Sequence, residues 1–404
     1  ACTGVTLTVR ALTVFDDGTG PVLVAGGEFS AAGGVAANFI AKWDGSDWSP
    51  LIGPSDAGLS AGGTGAGVYS LAVFDDGTGP ALFAGGRFIY AGGATANRIA
   101  KWDGSAWSPL SGPSGTGVND TVYTLTVFDD GTGQALYAGG LFATAGGVFV
   151  YKIAKWDGST WSPLTGRFSP GVGGWVYALT VFDDGTGPAL VAGGEFDSAG
   201  GQTAHSIAKW DGGAWSLVLR PSIEGVDDWV RALTVFDDGT GPALYAGGDF
   251  DFDRFGHHIA RWDGSAWSPL SGPSGSGVSA PVYALTVLDD GTGPALYAGG
   301  AFPHAGGVPA NFIAKWDGSS WSPLAGPSGT GVSGWVYALT VFDDGTGPAL
   351  YAGGNFTAAG GVTVNGIAKW DGSAWSPLTG PAGTGGGWVY ALTVFDDGTG
   401  PALI

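Results

Sequence analysis

The chain has no methionine, one cysteine and four histidines in 404 residues. Cys2 alone cannot form an internal disulfide, and no Cys/His spacing of a zinc site is present. Glutamate is scarce: only Glu28, Glu195 and Glu224 occur, so aspartate supplies nearly all of the 35 acidic residues. With just 15 basic residues the net charge is −20. That balance lacks the basic face that nucleic acid requires. It favours solubility and leaves a cation as the natural counter-charge. Charged residues total 12%, about half the usual share. No apolar run approaches the ~20 residues of a membrane-spanning helix, because glycine and proline interrupt every uncharged stretch. The lack of methionine leads to the expectation that residue 1 is a processed or trimmed end, as after removal of an export signal. Richness in Gly, Asp, Thr and Trp extends this to a secreted or cell-surface bacterial protein.

What is present is a repeat. Glycine reaches 79 residues without a Gly-X-Y period, which excludes collagen, and 44% apolar residues exclude a disordered polymer. An Asp-Asp turn recurs eight times, at Asp16, Asp75, Asp129, Asp183, Asp237, Asp289, Asp343 and Asp396. A Trp-Asp-Gly turn recurs seven times, at Trp43, Trp102, Trp156, Trp210, Trp262, Trp316 and Trp370. In the copy at 335–378, the β-branched and aromatic run Trp335 to Phe342 predicts a strand. Asp344-Gly345 predicts a hairpin turn, since Gly takes the positive φ such turns need. Pro348 to Ala352, Ile367 to Trp370 and Trp375 to Leu378 predict three more strands around a second turn at Asp371-Gly372. Four short antiparallel strands per repeat predict an all-β fold, a β-propeller of seven four-stranded blades with eight as the alternative, plus a surplus C-terminal β-hairpin. Residues 1–387 would form the propeller and 388–404 the extra half-repeat, which either closes the ring or pairs with another molecule. The paired Trp of strands three and four are expected to pack between blades.

The run L-Y-A-G-G, then I-A-K-W-D-G, then W-S-P-L resembles kelch-type repeats over nearly the whole chain, although Asp-Gly stands where kelch repeats usually carry Asp-Pro. The F-D-D-G-T-G turn is similar instead to repeats of uncharacterised secreted proteins of planctomycete-like bacteria. Neither resemblance implies an activity.

A propeller places the first-to-second and third-to-fourth strand turns on one face, which gathers 23 of the 32 Asp there. Two readings follow: structural turns, in which Asp bonds its own backbone, or calcium held at Asp-rich turns. The Lys or Arg before each Trp-Asp-Gly is placed to neutralise part of the ring. The opposite face reads as neutral. There Trp175, Trp229, Trp335 and Trp388, with Tyr177, Tyr337 and Tyr390, are candidates for sugar contact, against ordinary packing at the strand start. In the fifth copy Asp249, Asp251 and Asp253 share one side of an extended segment, and with His257 form a candidate metal set. No nucleophile, phosphate loop or catalytic constellation stands out, so the expectation is a non-enzymatic structural or adhesive protein without a resident cofactor. It would assemble with itself through Trp388, Val389, Tyr390, Leu392, Val394 and Leu403. The alternatives are a lectin-like module binding extracellular glycan and a cryptic carbohydrate-active enzyme.

Overall fold

A computed structural model of the chain describes residues 8–16, 20–44, 47–53, 58–61, 65–166, 168–218, 226–252, 256–272, 275–326, 329–343, 347–377, 388–392, 394–396 and 401–403. Every regular element among these residues is a strand. Val9–Asp16, Pro21–Gly27, Ile40–Trp43 and Trp48–Pro50 pair antiparallel in that order to form the first sheet. Six further four-stranded sheets repeat it, with first strands Gly67–Asp75, Val122–Asp129, Trp175–Asp183, Val230–Asp237, Val282–Asp289 and Val336–Asp343. Successive first strands pack side by side and together line a central channel. The fold is an all-β propeller, as the repeat predicts.

The Gly-Gly of each second strand has two separate causes, seen in sheet four. A Cβ on Gly193 would lie 2.5 Å from Val230 Cγ1, so this glycine lets the next sheet close in. A Cβ on Gly194 would collide with the carbonyl oxygen of Trp175, at the bulge where the register shifts between Val176 and Ala178. Packing between sheets is apolar and repeats six times, each cluster joining one sheet to the next. Trp pairs such as Trp156 and Trp161, with centroids 5.2 Å apart, sit inside these clusters. In sheets two to seven the second Trp also donates its indole N–H to a carbonyl of the preceding sheet's outer end, as Trp215 does to Leu164 at 2.9 Å. Burial between sheets is therefore the role of these residues in sheets two to seven.

The long loops after the second strands are themselves ordered. Most fold into two-residue-stranded hairpins, such as Ala31–Ala32 with Val35–Ala36. In sheet five the second and third strands lengthen instead to Pro242–Phe252 and Gly256–Trp262. The described residues of the surplus half-repeat lie against sheets one and seven. Val389 makes a parallel bridge to Val9, and its Cγ1 lies 2.6 Å from the site of a Gly353 Cβ, the contact that Val230 makes with Gly193. The hairpin of Val394–Asp396 with Pro401–Leu403 touches strands of sheets one and seven.

Candidate functional site

The acidic face is built from satisfied turns. Asp75 Oδ1 accepts N–H bonds from Gly77 (2.9 Å) and Gly79 (3.0 Å). Asp76 Oδ1 accepts the Thr78 hydroxyl at 2.6 Å, and its Oδ2 accepts Lys101 Nζ at 2.5 Å. The same ion pair recurs as Asp130–Lys155, Asp184–Lys209, Asp238–Arg261 and Asp290–Lys315, with the carboxylates almost fully buried. Burial alone would raise the pKa of Asp130; hydrogen bonds from Lys155, Thr132 and Tyr137 outweigh it and hold it at about 2. Among the described residues, no three His, Cys, Asp or Glu side chains converge as a metal-ligand group.

The opposite face carries a closed ring of eight side chains at the start of the first strands. Arg10 lies 5.2 Å from the Tyr69 centroid, and Tyr69 stacks on Tyr123 at 5.9 Å. Tyr123 meets Tyr177 at 5.4 Å, and Arg231 spans Tyr177 (5.9 Å) and Tyr283 (5.6 Å). Tyr283 stacks on Tyr337 at 5.7 Å, Tyr337 on Tyr390 at 4.3 Å, and Arg10 returns to Tyr390 at 5.0 Å. The two arginines stand at the first and fifth of eight positions, opposite each other. Both are anchored by acids that follow a Gly-Gly: Arg10 by Glu28 at 2.6 Å and Arg231 by Asp249. Burial raises the pKa of Tyr69, Tyr123, Tyr177, Tyr283 and Tyr337, which keeps these hydroxyls protonated as donors. The channel inside the ring has a volume of about 430 Å³.

Beside this mouth, between sheets four and five, lies a cleft of about 470 Å³. Trp175 and Trp229 line it with Glu195, Asp197, His205, Asp227 and Asp228. Each carboxylate is held by the frame. Glu195 accepts the Tyr177 hydroxyl at 3.4 Å and Asp197 the Ser198 hydroxyl at 3.1 Å. Asp227 accepts the Asp251 amide at 3.0 Å, and Asp228 the Trp229 amide at 2.8 Å. This face is thus less neutral than its loops suggest.

Trp175, Trp335 and Trp388 are exposed, at 40%, 45% and 58%, whereas Trp229 is half-buried. Tyr177, Tyr337 and Tyr390 belong to the ring. Trp388, Val389, Tyr390 and Leu392 lie between sheets seven and one, and Val394 pairs with Leu403 on the backbone of the last hairpin. The candidate metal set is divided: Asp249 pairs with Arg231, Asp251 pairs with His257 Nδ1, and Asp253 lies outside the described residues. Sequence reasoning missed Asp227 and Asp228. The signal was there, since sheets four, six and seven carry Gly173-Gly174, Ser279-Ala280 and Ser333-Gly334 at that position.

No protein-family model matches the chain, and no curated protein matches it. Solved structures do. An ancestral GH74 enzyme aligns at 13% identity and TM-score 0.30 over 99% of this chain and 68% of its own. The extracellular domain of a B. thetaiotaomicron protein described as a one-component system aligns at 10% identity and TM-score 0.26, over 91% of this chain and 58% of that one. A second structure from B. thetaiotaomicron, the extracellular domain of a hybrid two-component system, aligns at 11% identity and TM-score 0.27 with the same coverage.

Proposed function

We propose that this is an extracellular, non-enzymatic adhesive propeller that holds carbohydrate on the face bearing the aromatic ring. The carrying observation is the cleft between sheets four and five. Two Trp side chains offer apolar faces for a sugar ring, while four fixed carboxylates and His205 offer acceptors for its hydroxyls. Its volume lies within the ~300–1,000 Å³ of ligand clefts, and the Tyr/Arg ring continues the surface. The composition read above supports an extracellular setting, and the L-Y-A-G-G pattern keeps the kelch-like assignment of the repeat within this proposal. Each carboxylate of the cleft serves as a fixed acceptor, which suits binding rather than turnover.

Glycan-array binding followed by calorimetry tests the proposal. Trp175→Ala should weaken binding to a positive glycan at least tenfold, while Trp43→Ala, on the far side of the ring, should not. Absence of binding to any glycan overturns it. Release of reducing ends from a bound polysaccharide, abolished by Asp227→Asn, overturns the non-enzymatic part.

A further inference from the structure

Arg231 stands where the cleft meets the channel. It is the residue passed over where the register shifts between Val230 and Ala232, and such a bulge re-aims a side chain. Its guanidinium carbon lies 5.0 Å from the centroid of Trp229, which lines the cleft. It lies 5.9 Å from Tyr177 and 5.6 Å from Tyr283 in the channel mouth. The bulge position carries Tyr69, Tyr123, Tyr177, Tyr283 and Tyr337 in sheets two, three, four, six and seven. In sheet five an acid accompanies the arginine: Asp249 accepts its Nε–H, whereas Leu141 and Ala301 follow the Gly-Gly in sheets three and six. Among the described residues neither Nη group donates a hydrogen bond, and the side chain keeps 31% of its surface exposed. The carboxylates of the adjoining cleft, Glu195, Asp197, Asp227 and Asp228, are acceptors. Arg231 thus sets a cation with open donors at the edge of an acceptor-rich cleft.

We infer that the cleft takes a glycan with one uronate unit, whose carboxylate sits on the Nη edge of Arg231 while neutral sugars joined to it lie in the cleft. The inference rests on the carbohydrate-binding reading above and narrows it. A guanidinium has five N–H donors, of which Asp249 takes one. Its planar fork binds a carboxylate through two parallel N–H bonds, stronger than those a hydroxyl makes. Asp249 fixes the Nε side, and Trp229, Tyr177 and Tyr283 surround the group, so the fork is pre-organised before the ligand arrives. The cleft itself limits the charge. A second uronate there would meet Glu195, Asp197, Asp227 and Asp228 at close range, and like charges repel. Neutral sugars instead give hydroxyl donors to these acceptors and an apolar face to Trp175 and Trp229. The Asp-Asp turns lie at the far end of the first strands, 8 residues away in sheet five. That is beyond the ~8 Å Debye length of physiological salt, so they do not repel the ligand here.

Calorimetry on the full chain tests this with matched pairs of oligosaccharides. One member carries a single glucuronate or galacturonate on neutral sugars; in the other that carboxyl is reduced to a primary alcohol. The acidic member of at least one pair should bind at least tenfold tighter, and the advantage should shrink at about 1 M salt. Arg231→Gln should bring the acidic member down to the affinity of its neutral counterpart and leave the neutral one unchanged, which also reports an intact cleft. Arg231→Gln combined with Asp249→Asn removes both charges of the pair and should give the same result where the single variant folds poorly. An oligomer made only of uronate should bind more weakly than the mixed one; tighter binding overturns the single-unit assignment. Equal affinity within every pair, or an acid preference that survives both variants, overturns the inference and leaves the carbohydrate-binding reading standing. Absence of binding by both members of every pair overturns the two together.

Discussion

Gly193 and Gly213 belong to the same sheet under opposite constraints. A Cβ on Gly193 meets Val230 Cγ1 at 2.5 Å, whereas one on Gly213 meets only Asp211 Oδ1 at 3.7 Å. Gly193→Ala should therefore cost about 1–3 kcal/mol through overpacking, and Gly213→Ser should stay within about 0.5 kcal/mol. Urea unfolding of the two variants measures the difference; equal midpoints would remove the close approach as the reason for the first glycine. The Gly-Gly pair is visible in the sequence as part of the recurring L-Y-A-G-G run, but its cause is not. The clash partner sits in the next repeat, and only the closed packing of the sheets brings Val230 against it.

At the scale of the element, the Asp-Asp turn is an ion-paired hairpin rather than a bare carboxylate ring. Asp130 and Asp290 have folded pKa values of about 2 against 3.8 for the free side chain; burial opposes this, and the Lys, Thr and Tyr donors produce it. Asp157 in a Trp-Asp-Gly turn is likewise held at about 2, against burial, by donors from Thr160 and Ser159. A depressed folded pKa contributes stability that is present above the unfolded value and lost as pH falls through the folded one. Thermal stability should be flat from about pH 5 to 8 and fall from about pH 5 towards 2. Lys155→Met should lower stability at neutral pH and reduce this acid slope. A chelator should leave the melting temperature unchanged, because the turn carboxylates are already engaged by N–H, hydroxyl and ammonium groups; a chelator-induced drop would favour calcium at the turns. Scanning calorimetry across pH reads all three outcomes. The Asp-Gly hairpins were legible because their chemistry is local. The small hairpins turning on Gly33-Gly34 were not, since two-residue strands such as Ala31–Ala32 carry no alternation to read.

At the scale of the molecule, closure brings together residues that the linear order keeps apart. The cleft draws on 173–175, 195–197, 205–206 and 226–229, and no local pattern joins these segments. The eight-membered ring was partly legible as a recurring Tyr with two Arg exceptions, but its closure rests on Tyr390, which stacks on Tyr337 and sits under Arg10. That dependence defines a prediction for residues 388–404. Removing them takes Tyr390 from the ring and takes Val389 and Leu392 from the Gly353 face. It also uncovers the Phe342, Ala349 and Tyr351 cluster, against which Leu392 packs. Each large side chain so exposed costs about 1.5–3 kcal/mol, so a 1–387 chain should lose at least about 3 kcal/mol. With unmatched apolar faces it should also self-associate, whereas the full chain should elute as a monomer. Urea unfolding with size-exclusion chromatography on both chains reads the result. Equal stability and equal monomeric elution would show that the segment does not close the ring. Full-length oligomers that disappear on truncation would instead make it an intermolecular strand, the assembly role that its sequence first suggested.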